Sequence, residues 1–219
     1  MDDLLLPRLA AAAIILLVGF PIHEFSHAFA ADRLGDRTAR WLGRLSLDPR
    51  RHFDPLGGLI LLVTTVGAGL PVGWAKPTPV NPTNLSRGHR GEAIVALAGP
   101  ASNLIMAAAA AISIRVIDAS PAMQDVIASS DLLVLAFRVL LFFVLINIFL
   151  FVFNLLPIPP LDGWTVLKGL VSPYTAYRLR RVEQYGIFLL LGILFFGGGR
   201  IIVPIAGAIF ELLAGRPLA

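Results

Sequence analysis

His23-Glu24-Phe25-Ser26-His27 closes an apolar run that begins near Leu4, and the reading of this pentapeptide in that setting decides what kind of fold the chain can adopt. It fits the pattern H-E-x-x-H. On a helix, residues i and i+4 share a face, so both imidazoles can reach one ion, with Glu24 beside them. A zinc ion held in this way lowers the pKa of its bound water to about 7, and a neighbouring carboxylate can take the proton. Residues 10–20 are almost wholly apolar, and Phe25, Ala28, Phe29, Ala30 and Ala31 carry the run on. Ionisable groups inside a spanning helix are costly, face a protein interior and mark function. The stretch therefore predicts a metal site within a membrane. Two histidines do not complete it, because a catalytic zinc takes three protein ligands and keeps one position open.

The composition agrees. With 57% hydrophobic and 15% charged residues among 219, the chain reads as an integral, multi-pass membrane protein. Its net charge of +4 comes from short loops between apolar runs, so positive-inside bias explains it better than a nucleic-acid partner. There is no cysteine, which leaves His, Asp and Glu as the possible metal ligands. The start of the chain does not read as a cleaved signal, since Asp2 and Asp3 are acidic and the metal motif lies where cleavage would fall. One membrane-embedded domain over 1–219 is expected, with a core at about 7–165 and C-terminal membrane segments at about 184–214.

A first span is expected over 7–31. The loop 32–54 carries six arginines against four aspartates, and its 41–47 portion alternates weakly, as a short strand or an interfacial loop. The apolar stretch 55–70 has four glycines and is short of the usual span of about twenty residues. From Gly73 to Pro82 the prolines impose an extended chain, read either as a connector anchored by Trp74 or as an exposed strand beside the site. A third span over 92–117 contains Gly99-Pro100-Ala101-Ser102-Asn103, with a kink expected at Pro100. Its alanines at 107–111 suit close helix packing. The loop 118–131 has aspartates and no Lys or Arg, which marks the outer side.

A fourth span, 132–156, holds Asn147 and Asn154 and runs into Pro157-Ile158-Pro159-Pro160-Leu161-Asp162-Gly163. Irregular backbone at membrane depth is tolerated only against protein or a wet cavity. Asp162, on such an arm, is the predicted third ligand. Beyond a basic loop (Lys168, Arg178, Arg180, Arg181), the runs 184–196 and 201–214 form one broken span, two short ones, or a span and an interfacial helix. His52 and His89 lie in basic loops without ligand spacing and read as interfacial. The expected fold class is an all-α polytopic membrane protein. It has about four to six transmembrane or re-entrant helices around an intramembrane zinc site, with short extended or β segments between the first and third spans.

These residues resemble the site-2 protease family of intramembrane zinc metalloproteases, peptidase family M50. His23 to His27 match its H-E-x-x-H, and Asn154 to Gly163 match its N-x-x-P-x-x-x-x-D-G block. Gly99 to Asn103 is similar to its G-P-x-x-N element, and Gly73-Trp74-Ala75-Lys76-Pro77 to a stretch of its short members; no PDZ domain or CBS pair is recognised. The resemblance implies one zinc per chain on His23, His27 and Asp162, Glu24 as base, and Asn154 toward substrate or oxyanion. Asn103, Trp74, Lys76 and Pro77 are expected near the substrate. It further implies a transmembrane protein as substrate, the lipid bilayer as partner, and an upstream site-1-type protease that makes a first cut. The alternative is a membrane transport or binding protein that keeps zinc without proteolysis, against which Glu24 argues.

Charge parity sets the expected topology. If the basic loops 32–54 and 73–90 both face the cytoplasm, 55–70 must enter and return, the N-terminus lies outside, and the site faces the cytoplasmic side of a bacterial-type cell membrane.

Overall fold

The structure is a computed structural model that describes residues 4–68 and 73–217. In chain order the helices are α1 (Leu5–Arg33), α2 (Pro55–Ala68), α3 (Gly88–Asp118), α4 (Pro121–Ala128), α5 (Asp131–Asn154), α6 (Asp162–Leu170), α7 (Pro173–Glu183), α8 (Gly186–Phe196) and α9 (Gly198–Ala214). Three of them, α1, α3 and α5, have 29, 31 and 24 residues and are apolar enough to cross a membrane.

The three long helices alternate in direction. His27 meets Val95 and His23 meets Asn103, so α1 and α3 run antiparallel; α3 and α5 are joined by the short connection after Asp118, and Asn103 meets Asn147 about equally far from it along each helix, so they do too. Arg33, Gly88 and Asn154 therefore lie toward one end of the bundle. Ala107 and Ala111 of α3 are fully buried against Val144, Ile148 and Val152 of α5 and Ile202, Ala206 and Phe210 of α9. Small side chains let these backbones approach where lipid supplies no hydrophobic drive. A second cluster joins Ala11, Ala12, Ile15 and Phe20 of α1 to Leu61 of α2 and Ile146 and Leu150 of α5. Within α1, Ile15–Gly19 form a π-turn, a feature that frequently marks functional sites. Pro100 stays inside α3, whose helical run is unbroken.

Helix α1 ends in a Schellman-type turn, with the Asp36 N–H on Ala31 O and the Gly35 N–H on Asp32 O. This delivers Asp36 to the foot of the bundle. The segment that follows goes out and comes back. The Lys76 N–H donates to His52 O at 2.8 Å. A Cβ on Gly57 would stand 2.1 Å from Trp74 O, so only glycine admits the returning chain. The chain on either side of 55–70 thus meets at His52 and Lys76, and residues 69 and 70 fall outside the described residues.

Among the described residues there is no strand, which corrects the expected β segments. Thr38–Trp41 is a helical turn rather than the start of a strand over 41–47. The chain after Gly73 is extended but unpaired. Pro77, Pro79 and Pro82 remove donors, and the main-chain groups of Lys76, Pro77, Thr78 and Asn81 bond to other partners. At the C-terminal end, α8 and α9 are two short helices around Gly197.

Candidate active site

The two histidines sit on one face of α1, and Asp162 reaches them from the first position of α6. Before it, the chain leaves α5 through an irregular stretch containing the cis peptide Pro159-Pro160. A Cβ on Gly163 would lie 2.3 Å from Leu155 O. That close approach turns α6 back toward the histidines. Nε2 of His23 and Nε2 of His27 are 3.1 Å apart, and each lies 3.3 to 3.4 Å from Asp162 Oδ2.

The hydrogen-bond network fixes which ring nitrogens are free. The Phe143 carbonyl can only accept, so Asn147 Nδ2 donates to it (2.9 Å) and Asn147 Oδ1 faces Asn103. Asn103 Nδ2 therefore donates to Asn147 Oδ1 (2.9 Å), and Asn103 Oδ1 accepts from His23 Nδ1 (2.6 Å). His27 Nδ1 likewise donates to Val95 O (2.7 Å). In the neutral imidazoles both Nε2 atoms are then lone-pair atoms, converging with a carboxylate oxygen. Three electron-rich atoms this close call for a cation among them. A tetrahedral site with metal bonds of about 2.0–2.1 Å has ligand-to-ligand edges of about 3.3 Å, which the three separations reproduce. The residues fit zinc.

Glu24 lies beside the ligands and is buried, as are both histidines. Its Oε2 accepts the Thr78 N–H at 2.7 Å, and its main-chain oxygen accepts the Thr78 hydroxyl at 2.9 Å. Arg44 is buried beneath the same segment and donates Nη2 to the carbonyl oxygens of Lys76 and Pro77. Burial draws the Arg44 pKa down, and the nearby charge of Glu24 opposes the shift.

The profile of peptidase family M50 matches residues 11–197. The chain belongs to peptidase family M50. It is 38% identical over 178 residues to "Putative zinc metalloprotease YwhC" of Bacillus subtilis, covering 81% of this chain and 77% of that protein. The Rip2 proteins of Mycobacterium tuberculosis H37Rv and Mycolicibacterium smegmatis carry the same designation. They are 33% and 31% identical over 80% and 81% of this chain, and the matches span 62% and 64% of their own length. No solved structure matches. Membership of family M50, the three crossing helices and the His-His-Asp cluster make this an intramembrane zinc metalloprotease.

In this M50 protein the structure brings His23, His27, Asp162 and Glu24 together and places the other expected residues around them. Asn103, expected beside substrate, is fully buried with both ends of its amide engaged, one on His23 Nδ1 and one on Asn147. Asn154 donates to Leu150 O at 2.9 Å, a bond within its own helix. Trp74 is exposed and its main chain lies against Gly57 of α2, while Lys76 and Pro77 belong to the segment over Glu24. His52, expected at the interface, is 1% exposed and bonds Ser46 O at 2.6 Å. His89 stays partly exposed near Glu92 and apart from the ligands. Arg44 and Thr78 were given no role in the sequence, and Asn147 was noted on its span without one. Their only signal was an arginine in a charged loop, a threonine between prolines, and an asparagine on an apolar span.

The amide chain yields a test. Partners that orient a ligating histidine are typically worth about 10- to 100-fold in metal affinity. Asn103→Ala is expected to weaken zinc binding by that factor, measured by competition with a chromogenic chelator. Asn103→Asp, which still accepts from His23 Nδ1, should recover part of it.

Proposed function

We propose that His23, His27 and Asp162 hold the zinc, that Glu24 is the general base, and that the protein cuts a peptide bond within or near a transmembrane helix of another membrane protein. The observation that carries this reading is the convergence of two Nε2 lone pairs and one carboxylate oxygen beside a buried glutamate on a membrane-crossing helix. Zinc, when bound, acidifies water and polarises a peptide carbonyl. Glu24 Oε2 is held by Thr78, which leaves Oε1 to take the proton from the attacking water and pass it to the leaving amine. Asn154, at the last position of α5, turns its amide from Leu150 O to the developing oxyanion, a contact typically worth about 10²- to 10³-fold in rate. A helix hides its carbonyls in hydrogen bonds, so the substrate unwinds at the cut. Trp74, Lys76 and Pro77 line its approach.

The same proposal covers topology. Residues 1–219 work as one membrane-embedded unit in a bacterial-type cell membrane, with 55–70 re-entering and the zinc toward the cytoplasmic side. The meeting of Lys76 with His52 supports the re-entry. The substrate arrives after a first cut by a site-1-type protease.

Comparing membrane proteomes from cells with and without this protein tests the function. A shortened, membrane-embedded stub of at least one protein should accumulate when it is missing, and unchanged proteomes would remove the reading. Sidedness is tested by single cysteines at the exposed positions Arg50, Arg87 and Gln124, labelled with a membrane-impermeant reagent. Positions 50 and 87 should react from one side and 124 from the other.

A further inference from the structure

Residues 76–81 form a strap across the catalytic carboxylate. Proline at 77 and 79 leaves Thr78 as the one main-chain donor within 77–79, and that donor goes to Glu24 Oε2. Both ends of the strap are tied to buried charged side chains. Arg44, 7% exposed, binds the carbonyl oxygens of Lys76 and Pro77; Asp36, 0% exposed, accepts the Asn81 N–H at 2.7 Å. Asp36 also accepts from Thr38 N, Thr38 Oγ1 and Asn84 Nδ2. Between the two ends, Val80 packs on Ala31, Leu85 and Val95. Burying a guanidinium and a carboxylate is costly unless each is fully bonded. Here the two are not paired with each other: Arg44 Nη2 goes to the main chain of the strap while its Nε has no hydrogen-bond partner among the described residues, and Asp36 joins the strap through the Asn81 N–H.

We propose that the strap is a positioning device for the base. The Thr78 N–H fixes one oxygen of Glu24 so that the other faces the reacting water, and Arg44 and Asp36 fix Thr78. Arg44 and Thr78 are positioning residues: neither touches the ligands, and each acts through Glu24. A glutamate has three side-chain torsions, and an untethered one is aimed at the water for only part of the time. Misplacement of a reacting group by about 1 Å can cost about 10²-fold in rate. The inference rests on Glu24 being the base.

The test separates the N–H from the rest of Thr78. Thr78→Val removes the hydroxyl and keeps the N–H; Thr78→Pro removes both, in a chain already held extended by flanking prolines. The probes are a quenched fluorescent peptide of one apolar helix and acetohydroxamate, a zinc chelator whose hydroxyl proton passes to the base. Relative to Thr78→Val, Thr78→Pro should lower kcat about 10²-fold with KM and zinc content unchanged. Acetohydroxamate affinity should fall with kcat. Arg44→Met should show the same pattern and Arg44→Lys should restore part of it, which keeps the proposal open to refutation if Thr78→Pro does not fold. Equal kcat and equal acetohydroxamate affinity in Thr78→Val and Thr78→Pro would overturn it, as would loss of zinc in Arg44→Met matched by Arg44→Lys. If instead Glu24→Gln cleaves and binds acetohydroxamate like the parent, it is the assignment of the base that fails.

Discussion

Glu24→Gln is expected to retain about one zinc per chain and to show a kcat on a helical membrane peptide about 10²- to 10⁴-fold below the parent, the usual contribution of a general base. The substitution is nearly isosteric, and the glutamine oxygen can still accept the Thr78 N–H that Oε2 takes now. What changes is the capacity to take a proton. The ligand atoms are left alone: His23 remains oriented by Asn103, His27 by the Val95 carbonyl, and Asp162 by its place at the head of α6. Zinc by elemental analysis and turnover in detergent therefore separate cleanly. A protein that only stored or carried the metal would be indifferent to this change. Parent-like turnover in the variant would move the base elsewhere.

Gly99→Ala is expected to have the opposite signature, losing metal first. A Cβ at this position would lie 2.2 Å from His27 Nε2 and 2.7 Å from His23 Nε2, the two atoms that face the carboxylate. Helix α3 cannot retreat easily, because Ala107 and Ala111 are fully buried against α5 and α9. The imidazoles have to give way instead. Overpacking typically costs about 1–3 kcal/mol; placed on the ligands, this weakens zinc binding by about 5- to 150-fold. Gly67→Ala, where nothing lies within 4 Å of the new methyl, is the control for the general effect of alanine in a helix. Chelator competition on the two variants gives the answer. Equal affinity in both would mean that the histidines have slack the structure does not show.

What was legible in the sequence is what depends on local chemistry or on length. The histidine pair, its glutamate and the aspartate after the proline arm could be read because each needs only helical spacing, an apolar setting, or the cost of irregular backbone in lipid. For 55–70 the sequence offered too few residues for a crossing and basic loops on both sides, and the structure adds that its flanks meet at His52 and Lys76. The rest depends on partners far apart in the chain. His52 was read as interfacial because it lies in a basic loop without ligand spacing, yet its ring turns inward to Ser46. Asn147 and Asn154 lie on the same span, and only the packing of α5 on α3 selects Asn147 for the amide chain behind His23. The extended course of 73–82 was written in its prolines. That it runs to Glu24 rather than to a neighbouring strand was not, since Thr78 and Glu24 meet only once α1 and the returning segment are in place.

The order in which the ligands occur along the chain has a consequence for biosynthesis. Two of them lie on the first membrane helix, and the third follows the last of the three long ones. While the ribosome is still making the hairpin of α3 and α5, the emerging protein holds a histidine pair with no carboxylate to complete it. His23 also lacks its Asn103 partner until the hairpin docks. On the proposed ligand set, metal loading waits for the spans to assemble, and a nascent chain cannot complete the site until Asp162 has arrived.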